Sequence, residues 1–219
     1  MATKKDNFVY LLFALIVFVV LLPIVAEQQL LPATYLRSFA FICLLAIGVW
    51  SMRDNLLLFR SGVVLVVAGI VTNIIALRTG ELVYELLSLA TLFLFLKLAI
   101  LNALRQVVFG IEISANRLFG AVCVYLMLGV LWSVMYDVLY MLQPSAFSGA
   151  VESAVDGWNM QWVYYSFVTL TTLGYGDILP VSNTARVLAY SEAVIGVFYM
   201  AMLVATLVSA YAAQNQKSN

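Results

Sequence analysis

No histidine occurs anywhere in the chain, and only 10% of its 219 residues are charged. The first absence removes Ser-His-Asp chemistry, Cys-His chemistry and histidine-ligated metal sites together. The second sets the solvent. A soluble domain carries about a quarter charged residues, and a sequence that is 64% apolar would aggregate in water, so lipid must surround it. Eleven basic and eleven acidic residues cancel, which leaves no electrostatic case for nucleic acid or an acidic surface as partner. Cysteine is scarce too. Cys43 and Cys123 both fall inside apolar runs and read as small core residues, not as a disulfide or a zinc pair. There is no histidine and no pair of intramembrane aspartates to support an intramembrane enzyme, and no organic cofactor is expected.

What the chain has in abundance is long apolar runs, at 8–26, 36–52, 61–77, 82–104, 118–142 and 185–212. A spanning helix needs about 20 apolar residues. The first, fourth, fifth and sixth runs meet this plainly. The second and third are shorter and rely on flanking polar side chains that reach the interface. The first run follows Lys4 and Lys5 but ends at no small-x-small cleavage site, so it is read as a retained helix. With the N-terminus cytoplasmic, Lys4, Lys5, Arg53, Arg60, Lys97, Arg105, Arg117 and Lys217 fall inside, against Arg37, Arg78 and Arg186 outside. That bias predicts both termini in the cytoplasm.

Two segments do not read as spans. Residues 105–117 mix apolar and polar side chains and suit a helix along the inner interface. Residues 143–158, rich in Ser, Gly, Asp and Pro, read as an external loop. After it, the stretch from Asn159 to Thr172 is apolar and aromatic but too short to cross. Such a stretch between two spans is a re-entrant candidate, tolerated only where protein or a water-filled cavity surrounds it.

Immediately behind it, residues 169–177 read Thr-Leu-Thr-Thr-Leu-Gly-Tyr-Gly-Asp. A dehydrated potassium ion needs several oxygen ligands, and backbone carbonyls supply them without a buried formal charge. One strand can line a pore with successive carbonyls only if its peptide planes depart from the usual alternation. Gly174 and Gly176 can take positive φ at little cost. Tyr175 between them can brace the strand from behind, and Thr172 offers both a carbonyl and a hydroxyl. The preceding helix would present its partly negative C-terminal end to a cation.

These residues closely resemble the potassium-channel signature Thr-x-x-Thr-Val-Gly-Tyr-Gly-Asp, with Leu173 in place of the usual Val. The resemblance runs from about 118 to 212. It implies that the carbonyls of Thr172, Leu173, Gly174 and Tyr175, with the Thr172 hydroxyl, coordinate K⁺, and that Gly176 completes the filter. It also implies support from Thr171 and a hydrogen bond between Asp177 and Tyr164, where many members carry Trp. Gly196 falls at the family's inner-helix hinge position, although a membrane-helix glycine is more often a close-packing site. Met200, Val204 and Val208 continue its face at i, i+4 spacing, either lining the cavity or facing lipid and other helices. Pro180 and Arg186 also sit where related channels often have them.

Asp137 and Glu192 are intramembrane acids, which are functional candidates by default. Their place in the outer part of their helices favours hydrogen bonding around the pore helix. Asn73 and Glu85 read as packing or interface residues. Lys97 is the only basic residue of the fourth run, so that run carries no voltage-sensing ladder.

The expected fold is all-α, with six transmembrane helices plus a re-entrant pore helix and filter. A peripheral four-helix unit would occupy 1–104, an interfacial linker helix 105–117, a pore domain 118–213 and a short cytoplasmic tail 214–219. The expected function is passive K⁺ transport by a homotetramer in the plasma membrane or a bacterial inner membrane, without voltage gating. Its partners would be K⁺ and membrane lipid, with an unseen regulatory partner left open. A non-selective cation channel and a non-conducting partner subunit are the alternatives. Lipid, tension, pH and a partner protein all stay open as the gating stimulus.

Overall fold

The computed structural model describes residues 7–27, 45, 48–49, 56–108, 115–151 and 160–218. Helices dominate, as they must where the bilayer offers backbone groups no water. The chain begins with α1 (Asn7–Ile16), a π-helical turn (Val17–Leu21) and α2 (Leu22–Glu27). Pro23 explains the turn, because it has no N–H to give the carbonyl one turn back and its ring crowds that carbonyl. Next come α3 (Leu56–Thr79), α4 (Leu82–Val108) and α5 (Ala115–Leu142). A short 3₁₀ turn (Pro144–Ala146) leads into β1 (Phe147–Gly149). The chain ends with α6 (Met160–Leu170), β2 (Ile178–Pro180) and α7 (Asn183–Ser218).

Five helical stretches among the described residues are long and apolar enough to span a bilayer: Phe8–Val25, Leu56–Thr79, Leu82–Val107, Asn116–Leu142 and Asn183–Thr206. The chain is a membrane protein. Most of the run at 36–52, including Cys43, lies outside the described residues. Its described members Leu45, Gly48 and Val49 are helical and buried, with Gly48 close under the Phe95 ring.

The third span is longer than the run at 61–77 suggests, because α3 starts at Leu56. The apolar run alone ends at Arg60. A single exposed arginine near a helix end does not break a span, since its stem lies along apolar surface while its head reaches water. The expected linker at 105–117 also looks different. Residues 105–108 continue α4 and residues 115–117 open α5, while 109–114 lie outside the described residues.

Packing follows from small residues and heptad spacing. On α3, the buried residues Gly62, Gly69 and Ala76 recur every seventh position. They let α4 approach so closely that a Cβ on Gly69 would lie 3.0 Å from Thr91 Oγ1. Gly80, at φ 65, stops α3 by donating to the Ala76 carbonyl at 2.8 Å, and the left-handed conformation suits glycine at a helix end. On α4, Leu89, Leu92, Leu96, Ala99 and Ala103 are buried in alternating steps of three and four, the seam expected of a helix packed along its length. That seam meets α5. On its other side α5 receives Phe8, Leu11, Leu15 and Phe18 of the first span, all buried in the same core. Cys123, a free thiol on α5, donates to the Phe8 carbonyl at 3.5 Å. A central helix packed by neighbours on several sides is apolar all round, and α5 has the largest buried share of the five spans.

Candidate functional site

Helix α6 is the short helix that precedes residues 171–177, and it is wedged between α5 and α7. Two glycines make room for it. A Cβ on Gly129 of α5 would lie 2.7 Å from the Phe167 ring, and one on Gly196 of α7 would lie 2.3 Å from the Leu170 carbonyl oxygen. Trp162 and Tyr165 of α6 join Tyr136 and Tyr140 of α5 and Phe147 of β1 in an aromatic cluster with neighbouring ring centroids 4.7 to 6.5 Å apart. Rings in such offset and edge contacts gain stability beyond their buried area.

The end of α6 sets the backbone geometry of residues 172–176. Thr172 N–H donates to the Thr169 carbonyl at 2.9 Å, and Leu173 N–H donates to the Val168 carbonyl at 2.9 Å. This crossed pair is the Schellman helix stop, which needs a left-handed residue at the position Thr172 holds. Glycine usually fills it. Thr172 takes φ 59 instead, a genuine outlier for a β-branched residue, at a cost of about 1–2 kcal/mol. Gly174 (φ 59) and Gly176 (φ 79) repeat the left-handed conformation.

Every second residue from 172 to 176 therefore has positive φ. In an ordinary strand successive peptide groups point to opposite sides. Reversing the sign of φ at alternate residues cancels that alternation and gathers the N–H groups on one edge and the carbonyls on the other. The first part of the N–H edge is already engaged, since Gly174 N–H also reaches the Val168 carbonyl at 3.3 Å. Among the described residues, no hydrogen bond ends on a carbonyl of 172–176. Residues 171–177 are exposed, with Leu173 at 55% and Tyr175 at 67%.

Beyond Gly176 the chain is clamped to the loop behind α5. Strand β1 pairs antiparallel with β2, placing Phe147 opposite Pro180 and Gly149 opposite Ile178. Ala150 N–H donates to the Asp177 carbonyl at 2.8 Å. Gly149, at φ 103, has no space for a Cβ, which would sit 2.0 Å from that same oxygen. The Tyr164 hydroxyl donates to Asp177 Oδ2 at 2.7 Å. Arg186 Nε donates to the Pro180 carbonyl at 3.3 Å, which joins the two residues noted together in the sequence. Ser182 Oγ accepts from Ala185 N–H at 3.1 Å, capping α7 as an N-terminal serine does.

The Tyr164 hydrogen bond holds the Asp177 carboxyl below its usual range and raises the Tyr164 phenol. The sign follows from linkage: a depressed carboxyl stabilises the fold above its unfolded pKa of about 4, and that contribution fades as pH falls through the folded value. Acidifying to about pH 5 should leave this contact intact. The Tyr164 ultraviolet signal, followed from neutral pH downward, should stay constant to that point and change only below the ordinary carboxylate range.

Thr171 donates through its hydroxyl to the Phe167 carbonyl at 2.6 Å, so it belongs to the end of α6. Gly196 is buried against α6, while Met200 and Val204 further along α7 are 43% and 53% exposed. Val208 is on α7 with its side chain outside the described set. Helix α7 is unbroken through Gly196 from Asn183 to Ser218, and close approach to Leu170 already gives that glycine a packing reason. Four contributors carry no signal in the sequence: Gly129, Gly149, Tyr136 and Ser166. No short motif marks them, because their partners lie tens of residues away.

Comparison with known proteins adds a boundary. Residues 121–213 match a protein family described as Ion channel. That stretch runs from α5 through α7 and includes α6 and the segment behind it. No curated protein matches the chain. No solved structure matches it either.

Proposed function

We propose that the chain is one subunit of a tetrameric potassium-selective channel, with residues 172–176 as its filter. The observation that carries this reading is the left-handed φ at Thr172, Gly174 and Gly176, which leaves a row of carbonyls free on an exposed edge at the end of a short helix. Rings of such carbonyls can replace the hydration shell of K⁺. One chain supplies one strand, and a ring around an axis requires identical neighbours to present identical oxygens. Exposed Leu173 and Tyr175 would then face protein from adjacent subunits. The ion-channel match over 121–213 supports the same stretch as the conducting unit.

The first four spans would form a peripheral unit that does not sense voltage. Moving one charge through 100 mV yields about 2.3 kcal/mol, and α4 offers exposed Lys97, exposed Arg105 in its last turn and half-buried Glu85, with no regular ladder of positive charge. We place both termini in the cytoplasm on the lysine and arginine bias. Purified protein should have the mass of four copies in detergent and should pass K⁺ into liposomes with shallow voltage dependence. Monomers or dimers alone, in detergent that preserves flux, would contradict the assembly.

Thr172 gives a second check. Thr172→Gly relieves about 1–2 kcal/mol of left-handed strain but removes the hydroxyl, so thermal stability should hold or rise while K⁺ occupancy falls. Thr172→Ala keeps the strain and loses the same hydroxyl, so it should match the glycine variant in conductance but not in stability. Denaturation midpoints and unitary conductance of the two variants decide it.

A further inference from the structure

Glu192 is a titratable group that the conduction path leaves unused. It lies on the spanning part of α7 with its side chain wholly buried. Its two hydrogen-bond partners are hydroxyls. Tyr136 of α5 donates to Oε2 at 2.5 Å, and Ser166 of α6 has its Oγ 2.5 Å from Oε1. The same Ser166 Oγ lies 2.6 Å from the Gly129 carbonyl oxygen on α5. Two further titratable side chains, the phenols of Tyr125 on α5 and Tyr165 on α6, also lie near Glu192.

Counting protons decides the state of this cluster. A serine hydroxyl has one proton, and a backbone carbonyl can only accept. If Ser166 gave its proton to Glu192, Oγ and the Gly129 oxygen would face each other at 2.6 Å with lone pairs alone. If Ser166 gives it to Gly129, the short contact with Oε1 needs a proton from Glu192. All three contacts are satisfied only with three protons: one from Tyr136, one from Ser166 and one on the acid. A neutral acid also avoids the cost of an unpaired buried charge in a membrane span.

We propose that Glu192 carries a proton on Oε1 and, as a neutral acid, is the positioning residue that ties α6 to α5 and α7. Tyr136 holds it from α5. Glu192 then donates to Ser166, which frees the Ser166 proton for Gly129, the glycine against which Phe167 rests. The acid thereby fixes the helix whose last carbonyls set the backbone of residues 172–176. Its importance for conduction rests on the channel reading, whereas its protonation does not.

Glu192→Gln is the informative variant. Its amide N–H can donate to Ser166 and its carbonyl can accept from Tyr136, so it copies the neutral acid and cannot copy the carboxylate. Infrared difference spectra of purified wild type minus Glu192→Gln at neutral pH should show a protonated-carboxyl C=O band, and Asp137, present in both, cancels. In liposomes Glu192→Gln should keep K⁺ flux within about twofold of wild type, while Glu192→Ala should lose tenfold or more. If the alanine variant does not assemble, the glutamine variant and the infrared band still decide. A carboxylate band in place of the protonated one, or a glutamine variant as damaged as the alanine variant, overturns the proposal. A wild type that shows the band and passes no ion would overturn the channel reading alone.

Discussion

Gly174→Ala should abolish K⁺-selective conduction while the protein still inserts into the membrane. Gly174 sits at φ 59, where an added Cβ costs about 1–2 kcal/mol. A single chain could bear that, as it does at Thr172. Four strands around one axis would meet it four times, and each would answer by rotating the peptide planes that aim the carbonyls. Nothing lies within 4 Å of the new Cβ within one chain, so the monomer fold should survive. Membrane fractionation should show normal insertion, and bilayer recordings should show loss of current or loss of preference for K⁺ over Na⁺. An alanine variant with unchanged preference would count against the filter assignment.

Gly196→Ala should have an effect of similar size for a different reason. Its Cβ would sit 2.3 Å from the Leu170 carbonyl oxygen and 3.0 Å from Leu170 Cδ1. The first contact is with backbone, so no side-chain rotation relieves it. Overpacking of this kind typically costs about 1–3 kcal/mol, and here the element that must move is the end of α6. A fall in both the denaturation midpoint and K⁺ flux is expected. A hinge glycine would behave otherwise: alanine would change open probability and leave stability nearly untouched.

The contrast between these glycines shows what the sequence can reveal. Gly174 and Gly176 are legible because a local motif demands positive φ of them. The Tyr164–Asp177 bond is legible through the resemblance of the motif to the potassium-channel signature, which implies an aromatic partner for that aspartate on the short helix. Gly129 and Gly149 have no such context, since each is explained by a neighbour that only the fold brings close: Phe167 for one and the Asp177 carbonyl for the other. Thr172 is legible for its oxygens but not for its left-handed backbone, because threonine is not a residue expected there. For Glu192 the sequence points to hydrogen bonding around the short helix, and Tyr136 and Ser166 stand as its partners. The long spans are legible as apolar runs, and the early start of α3 is hidden only because Arg60 interrupts its run.

The most direct measurement is the reversal potential of purified wild-type protein in a planar bilayer with K⁺ on one side and Na⁺ at equal concentration on the other. A tenfold preference for one monovalent ion corresponds to about 59 mV. A carbonyl-lined filter predicts a reversal displaced by more than that amount in the direction of K⁺ preference. Current that reverses at zero would contradict it.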